Sequence, residues 1–328
     1  PTPTPVATPK PAPSPRPAPA PTLTVPSLPT QPPTRTPAPT PAPTAFSGTV
    51  YVSSIPALKS ALADNTVDEI VVANGTYHVS PSNQVRSDSL WIGNSTSGGM
   101  PFAERTRPVT VRAATIGGVT FDGGGGSAYG GLSFEAGAHD QTWDGFNFAN
   151  MAAVSTGIVE FGSYTSRAAP YNITLRHITI LSTCTGRATT ANGNLLDHAF
   201  YMGQALSPGP HDLLFEDITV DGRGGLASAF HFFHSSAGAP NASNVTVRRL
   251  HVTGTQDAIM LWDSTLHDIT FDSVDITAAL SYAIRYEAVG STGMILSNIT
   301  STASGREGFY SSEGPDPPGV TISNSSLH

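Results

Sequence analysis

The chain has 328 residues with 24 acidic and 16 basic side chains, so its formal net charge is −8. Three of the basic residues lie in residues 1–45, which hold no acidic residue, so residues 46–328 alone carry −11. An acidic body repels nucleic acid, anionic lipid and polyuronates at long range, which argues against a nucleic-acid-binding function. The single cysteine, Cys184, excludes an intrachain disulfide. No run of eighteen apolar residues predicts a membrane span.

Residues 1–45 form the first predicted domain, because they are almost entirely Pro, Thr, Ala and Ser and hold 18 of the 29 prolines. Such a segment cannot bury a core and is expected to be an extended tail, largely polyproline II. It is either a passive, O-glycosylated linker or a contact segment, since its positive charge is weakly attracted to the acidic body of another copy. The tail and a start at Pro1 without methionine predict a secreted, extracellular or cell-surface protein.

The second predicted domain, residues 46–328, begins with the one predicted helix, at 53–65. Ser54 suits the N-cap, Pro56 suits the first turn, and one apolar stripe follows. This short helix is expected to cover the open N-terminal end of a stack of strands. Strand patterns then follow at 69–77, 108–112 and 119–121.

An eight-residue strand template repeats through the rest of the body. It reads apolar, x, apolar, two polar residues, apolar, x and usually apolar, and its last four starts lie 24, 25 and 26 residues apart. The alternation predicts a strand and the polar pair predicts a corner, while the fixed period indicates one unit stacked on copies of itself. The template occurs at 173–180, 213–220, 245–252, 269–276, 294–301 and 320–327, and more loosely at 141–148.

A second set of strand patterns keeps the same order. These patterns begin at Ala199, Ala229, Ala258, Ala283 and Gly308, which lie 30, 29, 25 and 25 residues apart. Each coil therefore has at least two strands separated by small-residue corners. The predicted fold class is all-β, a right-handed parallel β-helix. A β-sandwich is the alternative, but the Asn-Gly type of hairpin turn that it needs is sparse.

The first part of the body resembles a known family. The order Ala-Leu-Lys-Ser-Ala-Leu (57–62), Asp-Glu-Ile-Val-Val-Ala-Asn-Gly-Thr-Tyr (68–77), Arg-Pro-Val-Thr-Val-Arg-Ala (107–113) and Gly-Gly-Val-Thr-Phe-Asp-Gly (117–123) is similar to the opening of polysaccharide lyases related to chondroitinase B and alginate lyase. The resemblance implies a secreted β-helix. For activity it implies a Lys and Arg pair on the parallel sheet face, with Ca²⁺ held by acidic side chains in some members.

The sequence departs from that family at the catalytic lysine. Its only lysines are Lys10, in the tail, and Lys59, in the predicted helix, so no residue of a coil corresponds to the family's base. No catalytic residue is therefore assigned from the resemblance.

The outward positions of the second set of strands give a candidate face for binding a glycan or a partner. Residues at corresponding positions form ladders, because coils stack about 4.8 Å apart. Arg285 beside Glu287, with His231 and Asp257 nearby, suggests an acid–base site, and aromatic rings suit stacking on sugars. The alternative is an ion pair with aromatic packing under a loop or against another protein. The predicted face consists of Tyr201, His231, Phe233, Trp262, Arg285, Glu287 and Tyr310.

Few other sequence features indicate a catalytic, metal-binding or modification site. A glycosidase needs two carboxylates about 5–10 Å apart, and Asp257 with Asp263 or Asp217 with Asp221 are the candidate pairs. No spacing typical of metal ligands or of a cofactor motif occurs, so neither is expected. Seven Asn-x-Ser/Thr sequons are candidate glycosylation sites, although asparagine also favours corners. They are Asn74, Asn94, Asn172, Asn241, Asn244, Asn298 and Asn324.

The last repeat suggests a structural role. It ends at Leu327, one residue before the final residue, so the last coil is expected to be uncapped and open to another chain. Together with the tail, this predicts a cell-surface structural protein that self-associates, as a filament, through the uncapped coil and the tail. On this reading no enzymatic activity is expected. The alternatives are a carbohydrate-active enzyme (a polysaccharide lyase or glycoside hydrolase), a glycan-binding module, or a passive adhesin stalk.

Overall fold

The computed structural model describes residues 48–79, 90–92, 105–124, 131–134, 137–151, 157–162, 169–181, 197–203, 209–233, 242–262, 266–288, 290–314 and 317–328. The predicted tail, Cys184, Asp263, Asn94 and Asn241 lie outside the described residues. The predicted domain boundary at residue 45 stays a prediction.

One helix and twenty strands make up the regular structure of the described residues. In chain order they are β1 (Thr49–Val52), α1 (Ile55–Ala63), β2 (Glu69–Val72), β3 (Gly75–His78), β4 (Trp91–Ile92), β5 (Val109–Ala113), β6 (Val119–Asp122), β7 (Leu132–Phe134), β8 (His139–Asp144), β9 (Phe146–Ala149), β10 (Gly157–Gly162), β11 (Tyr171–Leu181), β12 (His198–Gly203), β13 (His211–Phe233), β14 (Ser243–Trp262), β15 (His267–Thr277), β16 (Ile284–Tyr286), β17 (Met294–Thr302), β18 (Phe309–Ser311), β19 (Val320–Ser323) and β20 (Ser326–Leu327).

The strands stack in three columns, and every pairing between them is parallel. Column A contains β1, β2, β5 and β8, the first parts of β11, β13, β14, β15 and β17, and β19. Column B contains β3, β6 and β9, the following parts of the same long strands, and β20. Column C contains β4, β7, β10 and β12, the last parts of β13 and β14, then β16 and β18. The predicted parallel β-helix is confirmed, and right-handed crossovers are the rule for parallel strands.

The corner between columns A and B is the polar pair of the sequence template. The second residue of each pair has positive φ, at 53° in Asp217, 55° in Arg249 and 53° in Asn298. A second corner, where column A begins, has φ of 55° at Asp212 and 50° at Asn244. Asn and Asp accept this left-handed conformation better than most residues, because their short side chains bond locally. Equivalent corners therefore turn each coil in the same way and keep the coils in register.

Charges alternate along the axis at the end of column A. Arg112, Asp144, Arg176, Glu216, Arg248 and Asp272 are register partners on successive coils. The Nε of Arg176 donates to Asp144 at 2.9 Å, and Glu216 accepts from both Arg248 and Arg249. Opposite charges directly across neighbouring strands attract each other and stabilise the observed pairing. The alternation therefore supports the observed alignment of the coils.

The interior is filled by aromatic rings that stack from coil to coil. The rings of Phe200 and Phe230 have centroids 4.6 Å apart, and those of Phe134 and Phe161 are 4.9 Å apart. All four side chains are fully buried. Such stacks add a specific ring–ring contribution to the large apolar area that each side chain buries.

The predicted helix forms at the N-terminal end and buries its apolar stripe in the core. Ser54 is the N-cap and its hydroxyl accepts from the Ala57 N–H. At the other end, the buried Arg105 guanidinium donates to the Leu62 and Asp64 carbonyls, each at 2.9 Å. A cation there satisfies carbonyls that lack a partner within the helix. No helix among the described ranges is long and apolar enough to cross a bilayer.

Replacing Glu216 with Gln is expected to lower the free energy of unfolding by about 1 kcal/mol at neutral pH. Burial raises the pKa of Glu216, but hydrogen bonds from Arg249 and Arg248 outweigh it and hold the pKa below the ordinary 4.5. The carboxylate therefore stabilises the fold above pH 4.5, and this contribution disappears as the pH falls through the lowered pKa.

Urea unfolding of the two proteins as a function of pH measures the difference. The exposed Glu307, which lies off the ladder, provides the control as Glu307→Gln. Equal effects of the two substitutions would contradict the role of the ladder.

Candidate functional site

Side chains of column C form three neighbouring ladders, which together we call the site face. The first ladder is His198, Ser228 and Asp257. The second is Glu160, Tyr201, His231, Met260, Arg285 and Tyr310. The third begins with Gly203, Phe233 and Trp262. Glu287 follows Arg285 by two residues, as Trp262 follows Met260, and so has the corresponding position on its own coil.

All seven residues predicted for the face lie on it, but they differ in exposure. Tyr201 and His231, which were expected to point into solvent, are only 6% and 5% exposed. Trp262 is 45% exposed, and the other four are partly buried. The face therefore has a closed part around Tyr201 and His231 and an open part that begins at Trp262.

A chain of hydrogen bonds crosses the closed part. Ser228 Oγ lies 2.8 Å from His198 Nδ1, and His198 Nε2 lies 2.9 Å from His231 Nδ1. The last atom of this hydrogen-bond chain, His231 Nε2, is buried and has no hydrogen-bond partner in the part of the chain that the structure describes. Burial, and then the charge of Arg285, lowers the pKa of His231 to about 3. Burial and the neighbouring His231 likewise hold the pKa of His198 well below 6.5, so both rings are neutral at pH 7.

The hydrogen-bond chain has two possible proton arrangements. If Ser228 donates to His198, then His198 donates to His231 and Nε2 of His231 carries a proton. If the direction is reversed, Nε2 of His231 presents a lone pair, which is what a general base needs. The direction of these two hydrogen bonds therefore decides whether His231 Nε2 is a donor or an acceptor.

Tyr201 lies beside this chain of hydrogen bonds, and two glycines leave room for its side chain. Its ring centroid is 5.3 Å from that of His231. A Cβ atom added at Gly203 would lie 2.1 Å from Tyr201 Cε1, and one at Gly157 would lie 2.7 Å from Tyr201 Cβ. Burial, and then the charge of the neighbouring Glu160, raises the pKa of Tyr201, so its hydroxyl is protonated at neutral pH. A protonated hydroxyl near a neutral imidazole is an acid–base pair.

Arg285 connects the closed part to the open part. Its Nε and one Nη donate to Glu287 at 2.9 and 2.7 Å, and its guanidinium carbon lies 5.5 Å from the Trp262 ring centroid. Nη1 lies 3.8 Å from the buried Oδ2 of Asp257, which makes no hydrogen bond. The other oxygen of Asp257 accepts from the Tyr282 N–H at 3.1 Å. Burial raises the pKa of Asp257 despite that bond and the nearby Arg285.

Sequence reasoning placed Asp257 near the site but missed Glu160, Ser228 and the role of His198. The signal was present, because His198, Ser228 and Asp257 each precede a residue of the second ladder by three positions. The predicted pair of Asp217 and Asp221 lies instead in column B and at its preceding corner. No group of three or more potential metal ligands occurs within the described part of the chain.

The described sequon asparagines lie at corners and make hydrogen bonds there. The amide nitrogen of Asn298 donates to Asp272 at 2.7 Å, and those of Asn172 and Asn244 donate to Asp140 and Asp212. Asn74 donates to the Thr115 hydroxyl at 3.2 Å, while Asn324 is exposed with φ of 49°. Glycosylation stays a prediction. The corner geometry accounts for asparagine at these positions without it.

No family model matches this chain, and no curated protein does. Solved structures whose backbones align with this one include the surface adhesin PfbA of Streptococcus pneumoniae, at 12% identity over 79% of this chain and 68% of that one, with a TM-score of 0.42. A mannuronic acid specific polysaccharide family 6 lyase from human gut microbiota has 12% identity over 78% of this chain and 65% of its own, with a TM-score of 0.32. The family 6 alginate lyase AlyGC has 11% identity over 80% of this chain and 40% of its own, with a TM-score of 0.32. Identities this low leave the activity of this chain to be inferred from its own residues.

Replacing Gly203 with Ala is expected to destabilise the protein by about 1–3 kcal/mol, because the added methyl group overlaps the Tyr201 ring. In a Tyr201→Ala background the same substitution should cost much less, since the ring is gone. Unfolding free energies of the two single variants and the double variant give the coupling between the two sites. Additive effects would show that Tyr201 does not lie over Gly203.

Proposed function

We propose that this protein is a carbohydrate-active enzyme that cleaves a uronate-containing polysaccharide by β-elimination on the site face. One observation carries the proposal: the neutral His231 has a buried Nε2 that finds no hydrogen-bond partner among the described residues, and it lies between an acid, Tyr201, and a cation, Arg285. Abstraction of a proton next to a carboxylate needs a base, a proton donor for the leaving oxygen and a positive charge on the carboxylate. The site face offers all three within four successive coils.

The reaction assigns one role to each side chain. With a uronate ring over Met260, Arg285 Nη1 binds the carboxylate and His231 Nε2 takes the proton from C5. The C5–H electrons form the C4–C5 double bond, and the C4–O bond breaks. Tyr201 gives its proton to the leaving oxygen and then regains one from the His231 imidazolium, so the enzyme returns to its starting state.

The protonation states suit this scheme over a wide pH range. The lowered pKa of His231 keeps the base unprotonated well below neutral pH, and the raised pKa of Tyr201 keeps the acid protonated above it. A base with so low a pKa is weak, which a bound carboxylate offsets because a nearby negative charge raises the pKa of a histidine. We therefore expect rates with a broad plateau and without the usual histidine limb near pH 6.5.

The charge of the body does not forbid an acidic substrate. Its long-range repulsion is screened beyond about 8 Å at physiological salt, whereas the carboxylate would contact Arg285 directly. The negative charge should slow association, so affinity for a polyuronate is expected to rise as salt is added at low ionic strength.

A second candidate, glycoside hydrolysis, is favoured by Asp257. Its raised pKa is what a general acid requires, and Glu287 lies across Arg285 as the possible partner carboxylate. The two reactions give different products: elimination leaves an unsaturated uronate that absorbs ultraviolet light, and hydrolysis does not.

Self-association stays a prediction, as do secretion and a place on the cell surface. The tail lies outside the described residues. In the last coil Val320 and Leu327 pack against the core and Ile322 is 40% exposed.

The full chain should be assayed on alginate, polygalacturonate, chondroitin sulfate and a neutral xylan, with ultraviolet absorbance and new reducing ends both recorded. We expect absorbing product from at least one of the three uronate polymers. His231→Asn and Tyr201→Phe should each lower kcat by about 100-fold or more, and Arg285→Ala should lower kcat/KM on that polymer. Arg223→Ala, at an exposed corner off the site face, is the matched control and should leave the rate unchanged.

New reducing ends without absorbance would replace elimination by hydrolysis. No cleavage of any polymer would contradict enzymatic action.

A further inference from the structure

A cavity of about 580 Å³ lies on column A rather than on the site face of column C. Its lining comes from three successive coils, on β11, β13 and β14. We call it the corner cavity, because Asn172, Asp212 and Asn244 of its lining lie at the left-handed corner where column A begins. These three residues are exposed, so the cavity is open to solvent. Its volume is within the range of about 300–1,000 Å³ that is usual for ligand sites.

The ring of Tyr171, which lines the corner cavity, is held in one orientation. It is stacked between its register partners His139 and His211, with ring centroids 4.9 and 5.2 Å away and planes inclined by only 9°. Both faces of the ring are covered by these imidazoles, so a ligand in the cavity meets the edge, which carries the hydroxyl. That hydroxyl makes no hydrogen bond within the described residues. It is therefore an oriented group that can both donate and accept.

Asp212 is held in place by its neighbours and supplies acceptors. Its Oδ2 lies 2.8 Å from His211 Nδ1, and its Oδ1 accepts from the amide nitrogen of Asn244. The hydrogen bond from Asn244, and then that from His211, holds the pKa of Asp212 below the ordinary 3.8, so the side chain is ionised at neutral pH. Each carboxylate oxygen can accept a further hydrogen bond, and so can the amide oxygen of Asn244. The cavity is therefore rich in fixed acceptors.

An apolar side chain interrupts the threonines of the corner cavity. Leu214 is the register partner of Thr174 on one neighbouring coil and of Thr246 on the other, and all three line the cavity. The two threonine hydroxyls have no hydrogen-bond partner in the part of the chain that the structure describes. A sugar ring carries C–H groups on its faces and hydroxyls around its edge. An apolar contact surrounded by a few placed polar groups suits such a ring.

The charges around the corner cavity favour a neutral ligand. Arg176 and Arg248 follow the two threonines by two residues, but they are already paired with Asp144 and Glu216. The ionised Asp212 would repel a carboxylate or sulfate group on a ligand. Its oxygens instead match the hydroxyl donors of an uncharged sugar.

We infer that the corner cavity is a second binding site, which takes a segment of a neutral polysaccharide. Two coil spacings measure roughly 10 Å, a length comparable with that of two sugars, so a short segment can contact all three coils. Tyr171 and Asp212 would bind its hydroxyls, while Leu214 would pack against the face of a ring. The inference does not depend on the proposed elimination, because it uses no residue of the site face.

Isothermal titration calorimetry of the full chain with cello-, xylo- and manno-oligosaccharides tests the inference. We expect at least one of them to bind. Tyr171→Phe, which keeps the ring stack and removes the hydroxyl, should weaken that binding about 10-fold. Leu214→Thr, which introduces the residue found on both neighbouring coils, should weaken it to a similar extent because the apolar contact is lost.

Each variant has a matched control. Tyr51→Phe removes the hydroxyl of a tyrosine that is 77% exposed on β1, outside the cavity. Ile295→Thr makes the corresponding apolar-to-threonine change further along the ladder of Leu214, also outside the cavity. Both should leave the affinity unchanged.

No binding of any of the three neutral oligosaccharides would overturn the inference. Equal affinities of the parent, Tyr171→Phe and Leu214→Thr proteins would also overturn it, because the sugar would then bind elsewhere. Tighter binding of an oligogalacturonate at this cavity than of every neutral oligosaccharide would overturn the assigned ligand class. The elimination reaction is tested separately by the absorbance assay, so neither result decides the other.

Discussion

The vertical register of the coils is the constraint on which the rest of the molecule depends. Each strand pairs in parallel with its counterpart on the next coil, so a residue type placed once per coil becomes a continuous ladder. The left-handed corners at residues such as Asp217 and Arg249 repeat this alignment at each turn. The insertion or deletion of one residue at a corner would shift the register and move side chains between the interior and the surface. The function of such a fold therefore depends on which residue types are repeated along each ladder.

The same register aligns two sets of polar residues that differ in their surroundings. At the corner between columns A and B, alternating acids and arginines lie partly in solvent, so their attraction is screened and contributes little per pair. On column C the polar groups are buried, and the low local polarity keeps His231 and His198 neutral and Tyr201 protonated. Buried groups with shifted pKa values cost stability, as do buried polar atoms without a partner among the described residues, such as His231 Nε2 and Asp257 Oδ2, and this is a pattern expected of a working site.

The sequence was sufficient for the fold and for the alignment of residues within column C, whereas the role of these residues as a binding face stays a prediction. Apolar alternation and the small corner residues fixed the register, so Tyr201, His231 and Arg285 were correctly placed in one ladder. Their burial was not foreseeable, because the repeat predicts which residues share a ladder and does not predict how much solvent reaches each of them. The bonds of Arg105 to the end of α1 were equally hidden, since they join residues 41 or more apart. His198 and Ser228 were overlooked because a histidine and a serine outside any motif are ordinary surface residues until geometry brings them within 2.8 Å.

The most direct measurement is a ¹⁵N NMR titration of the imidazole nitrogens of His231, with His231→Asn used for assignment, before and after addition of an oligosaccharide of the cleaved polymer. A buried, neutral His231 should show no protonation between pH 7 and pH 5, and its Nε2 shift should change when the oligosaccharide binds. A His231 that titrates near pH 6.5 and is indifferent to the oligosaccharide would contradict its role as the buried base of this site.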